Sequence, residues 1–335
     1  MSSDPVDIPS PPPAQPAAAP EPVPAPARDV HVFWRRVAAL LLDTLLLGIL
    51  GAIAGWPLFD WFASLGSAGR LVGFGVAWVY FGILNSAIGG GQTVGKRIMG
   101  LEVVDHAGRH VTLRRSGVRY FILGVPFFLN GAINSPSWIG YLAGFVIFAG
   151  GGSIIYLFLF NRRTRQSLHD LICGTFVTRR APEGGVQTLP VWRLHLAIVV
   201  ALFVTVLGIA CLAPSLAGAW KFPGLIATRE KILATDAFSD AGVFVGKNWS
   251  FRDGVRGETK YLAVSVRLKH RPGDYEPIAH QVALIALANY PESQDQDVIS
   301  VTVSYGYDIG IARTWITHTF QHTPEQWAQF TGTAK

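Results

Sequence analysis

The chain alternates between long apolar runs and short polar segments over its first two thirds. About 20 helical residues cross the roughly 30 Å of hydrocarbon in a bilayer. We therefore predict about five transmembrane helices. The third predicted helix is short and contains Pro126, so a re-entrant hairpin is the alternative there. The five runs lie at residues 33–55, 71–89, 118–134, 138–160 and 193–216.

The last third of the chain has a different pattern, in which short runs alternate between apolar and polar residues. Alternation of this kind predicts strands, whereas the spacing over 276–290 predicts a helix, with Pro277 suited to its first turn. A last helix is expected from Thr323, a suitable N-cap. We expect an α+β domain outside the membrane, of about 110 residues, enough for its own core. The predicted strands lie at 260–269, 297–305 and 309–320.

The sequence therefore predicts a polytopic α-helical membrane protein with a C-terminal α+β extramembrane domain. Residues 1–30 are rich in Pro and Ala and should form a disordered arm. Residues 31–181 should form a membrane domain with a small cap. Residues 182–217 supply a linker and the fifth helix, and residues 218–335 supply the C-terminal domain.

Composition and charge agree with this division. Half of the residues are hydrophobic, only 15% are charged, and the mean hydropathy is +0.33, which is too apolar for a soluble protein of this length. Before the C-terminal domain, every Lys and Arg except Arg70 flanks the same ends of the predicted helices. Basic loops stay in the cytoplasm, so we expect a cytoplasmic N-terminus and cap and an exported C-terminal domain.

The distribution of basic residues also indicates which partners to expect. They flank membrane helices and do not form one stripe, so they suit the anionic inner leaflet of a lipid bilayer and not nucleic acid. The sequence contains no Ser-His-Asp or Cys-His arrangement typical of a catalytic site. We therefore expect no enzyme activity, no cofactor and no metal, and a homo-oligomer is compatible with the sequence.

A carboxylate lies within the first apolar run. Asp43 is seven residues after Arg36, which places both side chains on one helix face with about 10 Å of rise between them. A charge at that depth is costly unless it faces protein, water or a partner. Asp43 is therefore protonated, lines water, or accepts hydrogen bonds. Candidate donors for the last alternative are Asn85, Asn130 and Ser153.

The polar segments between the apolar runs should form the cap. Residues 100–104 and 111–113 are predicted to form a β-hairpin, joined by a third strand at 175–178. A short helix at 167–172 should end at Gly174.

Four residues of the cap are candidates for a functional role. Lys96 is suited to anchor lipid headgroups or to bind an anionic ligand, with Gly95 permitting close approach. Asp170, beside His169, could form an acid–base pair with it or accept hydrogen bonds from the backbone or an arginine.

Three ordered motifs carry a resemblance to a known family. They are RVAALLLD at 36–43, TVGKRIMGLEVVDHAG at 93–108 and LHDLICGTFV at 168–177. Together they resemble the RDD family, named for one arginine and two aspartates, which correspond here to Arg36, Asp43 and Asp170. The resemblance covers about 33–180 and implies a multi-pass protein of the prokaryotic cytoplasmic membrane. The family is associated with transport of unidentified ligands, so the resemblance specifies no substrate.

Two functions fit these observations. The first is ion-coupled transport or exchange of a small solute, with Asp43 as the protonatable intramembrane group and Arg36 positioning the cytoplasmic end of its helix. The alternative is a membrane scaffold whose exported domain binds an envelope protein, in which Asp43 only joins helices by hydrogen bonds.

Overall fold

The structure, a computed structural model, describes residues 29–132, 138–181, 184–219, 223–252 and 255–329. The predicted arm at 1–30 lies almost entirely outside these ranges. Within them, four helices are long and apolar enough to cross a membrane. These four helices span Phe33–Gly55, Gly66–Leu84, Trp138–Phe160 and Arg193–Ala213.

The membrane domain consists of consecutive helices that run back and forth between two ends. The helices are α1 (Phe33–Gly55), α2 (Phe59–Ser64), α3 (Gly69–Leu84), α4 (Val94–Met99), α5 (Leu113–Phe128), α6 (Trp138–Phe145), α7 (Gly152–Phe160), α8 (Leu168–Cys173) and α9 (Arg193–Ala219). A π-helical segment, Val146–Gly151, joins α6 to α7. We call the end that carries α4 and α8 the cap end.

The predicted third membrane helix, 118–134, differs from expectation. Helix α5 has 16 residues, about 24 Å of rise, and is not among the four long apolar helices. It begins inside the cap, where the Thr112 side chain accepts a hydrogen bond from the Arg115 backbone N–H. The prediction of five spans is therefore corrected, for the described ranges, to four long apolar helices and one shorter helix.

The cap contains a two-stranded antiparallel sheet of β1 (Leu101–Val104) and β2 (Phe176–Arg179). The predicted pairing of these two segments is confirmed, and so is the short helix, since α8 ends at Gly174 with φ of +59°. The predicted strand at 111–113 is wrong, because Leu113 already belongs to α5.

The C-terminal domain is an α+β unit whose four-stranded sheet has the order β3–β4–β5–β6. Only β4 and β5 are parallel, and α11 connects them as a crossover. Buried residues of β5, among them Ile299, Val301 and Val303, pack with α11 in one core. The elements are α10 (Pro223–Leu233), β3 (Phe238–Arg252), β4 (Val255–Leu268), α11 (Glu276–Asn289), β5 (Val298–Asp308), β6 (Arg313–His322) and α12 (Pro324–Gln329). The sequence predicted all of these except α10 and β3.

The turn between β5 and β6, residues 309–312, inserts into the membrane domain at the end opposite the cap. A Cβ atom at Gly73 of α3 would overlap the carbonyl oxygen of Ile309. One at Gly55 of α1 would overlap the hydroxyl of Tyr307. Arg70 pairs with Asp308 at 3.0 Å beside this turn. The C-terminal domain is therefore held by this hairpin as well as by its covalent connection to α9.

This close approach predicts different effects for two glycines on one helix. Gly73→Ala should destabilise the protein by about 1–3 kcal/mol, because the new methyl group must displace the hairpin. Gly75→Ala should cause no loss, because the space around Gly75 is open. Thermal unfolding of both variants in detergent measures this difference, and equal melting temperatures would contradict the proposed close contact.

Candidate functional site

The Asp170 carboxylate is the centre of a buried ion cluster at the cap end. It accepts from Arg36 of α1 at 2.8 Å and from Arg119 of α5 at 2.8 Å. Thr175 donates to it at 3.0 Å, and Asp170 also closes the capping box of α8 with Ser167. Burial alone would raise the pKa of Asp170, but the charges of Arg119 and Arg36 hold it well below its usual range. The prediction that Asp170 accepts from an arginine is confirmed.

Arg36 connects α1 to the segment between α7 and α8. Besides Asp170, its guanidinium donates to the carbonyl oxygen of Arg165 and lies over the Phe158 ring at 5.3 Å from the centroid. The side chain is only 9% exposed. Contacts with α7, with α8 and with the segment between them therefore fix the position of the Arg36 side chain.

His169 lies in the same cluster but does not fit the alternative of an acid–base pair. Its Nε2 is 3.3 Å from an Arg119 nitrogen, which always donates, so Nε2 accepts and Nδ1 carries the proton. Burial lowers the pKa of His169 to about 3, against the opposing effect of Asp170. The ring is therefore neutral near pH 7. Its Nδ1 is buried and has no hydrogen-bond partner among the residues that the structure describes.

Asp43 is buried and accepts three hydrogen bonds. The donors are the Tyr80 hydroxyl at 2.7 Å, the Thr93 hydroxyl at 2.6 Å and the Gly95 backbone N–H at 2.7 Å. Asp43 thus holds the first turn of α4 against α1. The expected donors Asn85, Asn130 and Ser153 are wrong, since none of them bonds to Asp43 in the structure.

Gly95 is the point of closest approach between α4 and α1. A Cβ atom there would overlap the carbonyl oxygen of Ala39. The close approach predicted at Gly95 is therefore present, but Gly95 approaches the neighbouring helix α1 and not a ligand. This contact directs the side chain of the next residue, Lys96, toward the interior of the membrane domain.

Lys96 is a cation without a carboxylate partner among the residues that the structure describes. Its Nζ lies 3.5 Å from the Thr93 hydroxyl and 5.9 Å from the centroid of the Phe81 ring. Burial, reinforced by repulsion from Arg119, lowers the pKa of Lys96 to about 7. The side chain of Lys96 is half-buried, whereas that of its neighbour Arg97 is exposed, so Arg97 is the better placed of the two to reach lipid headgroups.

These groups line one end of a cavity of about 320 Å³, which we call the head cavity. Apolar side chains from α1, α5 and α7 line the rest of it. Its ionisable lining consists of Arg36, Asp43, Lys96, Arg119 and His169. Asp170 lies directly behind it, paired with both arginines, so three cationic side chains and two carboxylates meet here and one positive charge is in excess when all five are charged.

Sequence reasoning missed Arg119, which contributes as much to this cluster as Arg36. The sequence did point to it, because Arg119 is a charged residue at the start of an apolar run, just as Asp43 is a charged residue within one. Because Arg119 stands beside Arg114 and Arg115, it resembled another basic residue flanking a helix. The structure shows instead that its side chain is 5% exposed.

The buried cluster makes a testable prediction about stability. Asp170→Asn should destabilise the protein by about 3–5 kcal/mol, because it leaves two buried arginines without their counter-ion. Asp105→Asn is a matched control in the same cap, since Arg109, its partner, is 79% exposed, and it should change stability by less than about 1 kcal/mol. Denaturant unfolding measures both, and similar losses would contradict the central role of Asp170.

Part of the chain is similar in sequence to known proteins. Residues 30–174 match the model of the RDD family. The chain is also similar to the uncharacterized protein YckC of Bacillus subtilis (strain 168), with 26% identity over 156 residues, covering 45% of this chain and 85% of YckC. No solved structure matches the chain significantly. Arg36, Asp43 and Asp170 all lie within the matched region, and residues 30–174 of this membrane protein form an RDD family domain.

Proposed function

We propose that this protein binds and transports a small anionic solute across the prokaryotic cytoplasmic membrane, with proton coupling through Lys96. One observation carries the proposal: the Lys96 ammonium group faces the head cavity, beside two arginines, without a carboxylate partner in the described part of the chain. The distribution of basic residues supports a cytoplasmic cap and an exported C-terminal domain.

The charge balance of the head cavity favours an anion over a cation. Asp170 is already paired with Arg36 and Arg119, and Asp43 is occupied by three donors. A cation entering the cavity would therefore meet Lys96 with no carboxylate left to receive it. An anion would instead supply the missing counter-charge, which is strongly favourable in a medium of low dielectric constant.

Proton coupling follows from the ionisation of Lys96. With a pKa of about 7, Lys96 is only half protonated at neutral pH. A bound anion favours the charged ammonium, so binding takes up a proton and release returns it. We assign Asp43 to the positioning of Lys96, because it holds Thr93 and Gly95 at the start of the same short helix.

Proteoliposomes test this assignment. Vesicles contain a pH-sensitive dye, and valinomycin with potassium clamps the membrane potential. Ethanesulfonate and inorganic phosphate serve as probes, added outside. We expect saturable acidification of the interior with the wild type, and at least about tenfold less with Lys96→Met. Arg97→Met is the matched control, since it removes an exposed charge from the same short helix, and it should behave like the wild type.

The same vesicles separate Lys96 from Asp43 as the proton-binding group. If sodium or potassium gradients drive proton movement that Asp43→Asn abolishes and Lys96→Met leaves intact, Asp43 carries the proton and the solute is a cation. If neither probe acidifies vesicles beyond the protein-free control, the transport proposal is wrong. Intact folding of each variant is checked by its melting temperature.

The pKa of Lys96 also predicts how anion binding depends on pH. Below pH 7 the affinity should be nearly constant, because Lys96 is already charged. Above pH 7 it should fall, approaching about tenfold per pH unit, because the protonated fraction falls by that factor. Titrations of ethanesulfonate between about pH 6 and pH 9 measure this, and a flat profile across that range would contradict the assignment.

A membrane scaffold is the second candidate. Phe244 and Val245 of the edge strand β3 are 62% and 40% exposed, which favours a protein partner at the C-terminal domain. The scaffold hypothesis predicts no anion-driven signal from wild type or variants in the proteoliposome experiment.

A further inference from the structure

The head cavity adjoins two apolar cavities in the same domain. One, of about 280 Å³, lies between α1, α3 and α5 and shares Leu40, Phe81, Tyr120 and Leu123 with the head cavity. The other, of about 500 Å³, lies between α5 and the helix formed by α6 and α7. We call the three together the compartment, which has a cationic end and two apolar branches.

The walls of this compartment open sideways between α1 and α7. Leu40 on α1 is 49% exposed, and Ile155 and Leu159 on α7 are 62% and 44% exposed. All three belong to helices that are apolar enough to cross a membrane, so these side chains face hydrocarbon. A ligand can therefore enter from the bilayer and place its charged group beside the cations.

His169 is the neutral residue of the cationic end. Its side chain lines the head cavity and is 5% exposed, whereas its Nδ1 is buried and has no hydrogen-bond partner among the described residues. Lys96 and Arg36 therefore remain as the groups of this end that can receive an anionic group.

We propose that the compartment binds an anionic amphiphile, with its phosphate, sulfonate or carboxylate group at Lys96 and Arg36 and its hydrocarbon chain in the apolar branch between α1, α3 and α5. This inference rests on the proposed function, since it specifies the class of anion. The amphiphile is a membrane lipid or a soluble surfactant-like anion, which share this chemistry.

The hairpin of the C-terminal domain closes the far end of that branch. Gly310 and Ile311, at the turn between β5 and β6, line the branch opposite the head cavity. Phe128 of α5 lies against Gly310 at the same place. The length of the bound chain is therefore limited by a segment of the C-terminal domain.

Binding to the purified full-length chain in phosphatidylcholine nanodiscs tests the inference. Ethanesulfonate and octanesulfonate, below its micellar concentration, serve as probes. Thr44 lines the branch, so Thr44→Phe should fill it. We expect octanesulfonate to bind more tightly than ethanesulfonate, and Thr44→Phe to weaken only octanesulfonate, by at least about tenfold. Leu45→Phe, at a neighbouring position that is 61% exposed, should affect neither probe.

Each other outcome overturns the inference in a recognisable way. Equal binding of both probes, lost in Lys96→Met, keeps the small-anion function and removes the amphiphile. Octanesulfonate binding that Thr44→Phe, Leu45→Phe and Lys96→Met all leave unchanged indicates nonspecific partitioning. No binding of either probe removes the proposed function as well. All variants must keep the wild-type melting temperature within a few degrees in the absence of probe.

A second set of nanodiscs distinguishes the two sources of the ligand. If phosphatidylglycerol in the bilayer competes with octanesulfonate in the wild type, and mass spectrometry detects it on the released protein, the ligand is a membrane lipid. If phosphatidylglycerol does not compete, the ligand is a soluble amphiphile.

Discussion

Burial of Asp170 between two arginines is the interaction on which the membrane domain depends. The carboxylate joins α1, α5 and α8, and each of its oxygens faces a guanidinium. Such a buried triad adds little net stability over apolar packing, yet removing one member is costly. Its effect is therefore to fix geometry: Asp170 holds the three elements together, and Arg36 and Arg119 both line the head cavity there.

A second buried carboxylate, Asp43, fixes the remaining cation in a different manner. Its three hydrogen-bond donors are neutral, and they orient the start of α4. Lys96 follows directly and lines the head cavity, where it has no ion pair among the described residues and the charge of Asp43 attracts it without direct contact. One carboxylate thus pairs with two arginines and the other positions a lysine, and two carboxylates against three cationic side chains leave an excess of positive charge.

Much of this could be predicted from the sequence, because the relevant signals are local. Apolar length identified the four long helices, and the motif residues Arg36, Asp43 and Asp170 all became buried. The partners of Asp43 were mispredicted: Tyr80 lies on α3, and Thr93 and Gly95 lie at the start of α4, in a polar segment that the sequence assigned to the cap. The insertion of residues 309–312 was also invisible, since it joins segments more than 200 residues apart whose individual patterns are those of an ordinary hairpin.

The inserted hairpin lies directly beyond the end of α5. Helix α5 ends at Phe128, and the turn of the hairpin packs against that residue. Small residues at Gly51, Gly55 and Gly73 let the turn pass between α1 and α3. The turn reaches the level of Gly48, about 8 Å of helix rise from Asp43. The C-terminal domain therefore forms part of the wall of the membrane domain, and the apolar branch has no closed end without it.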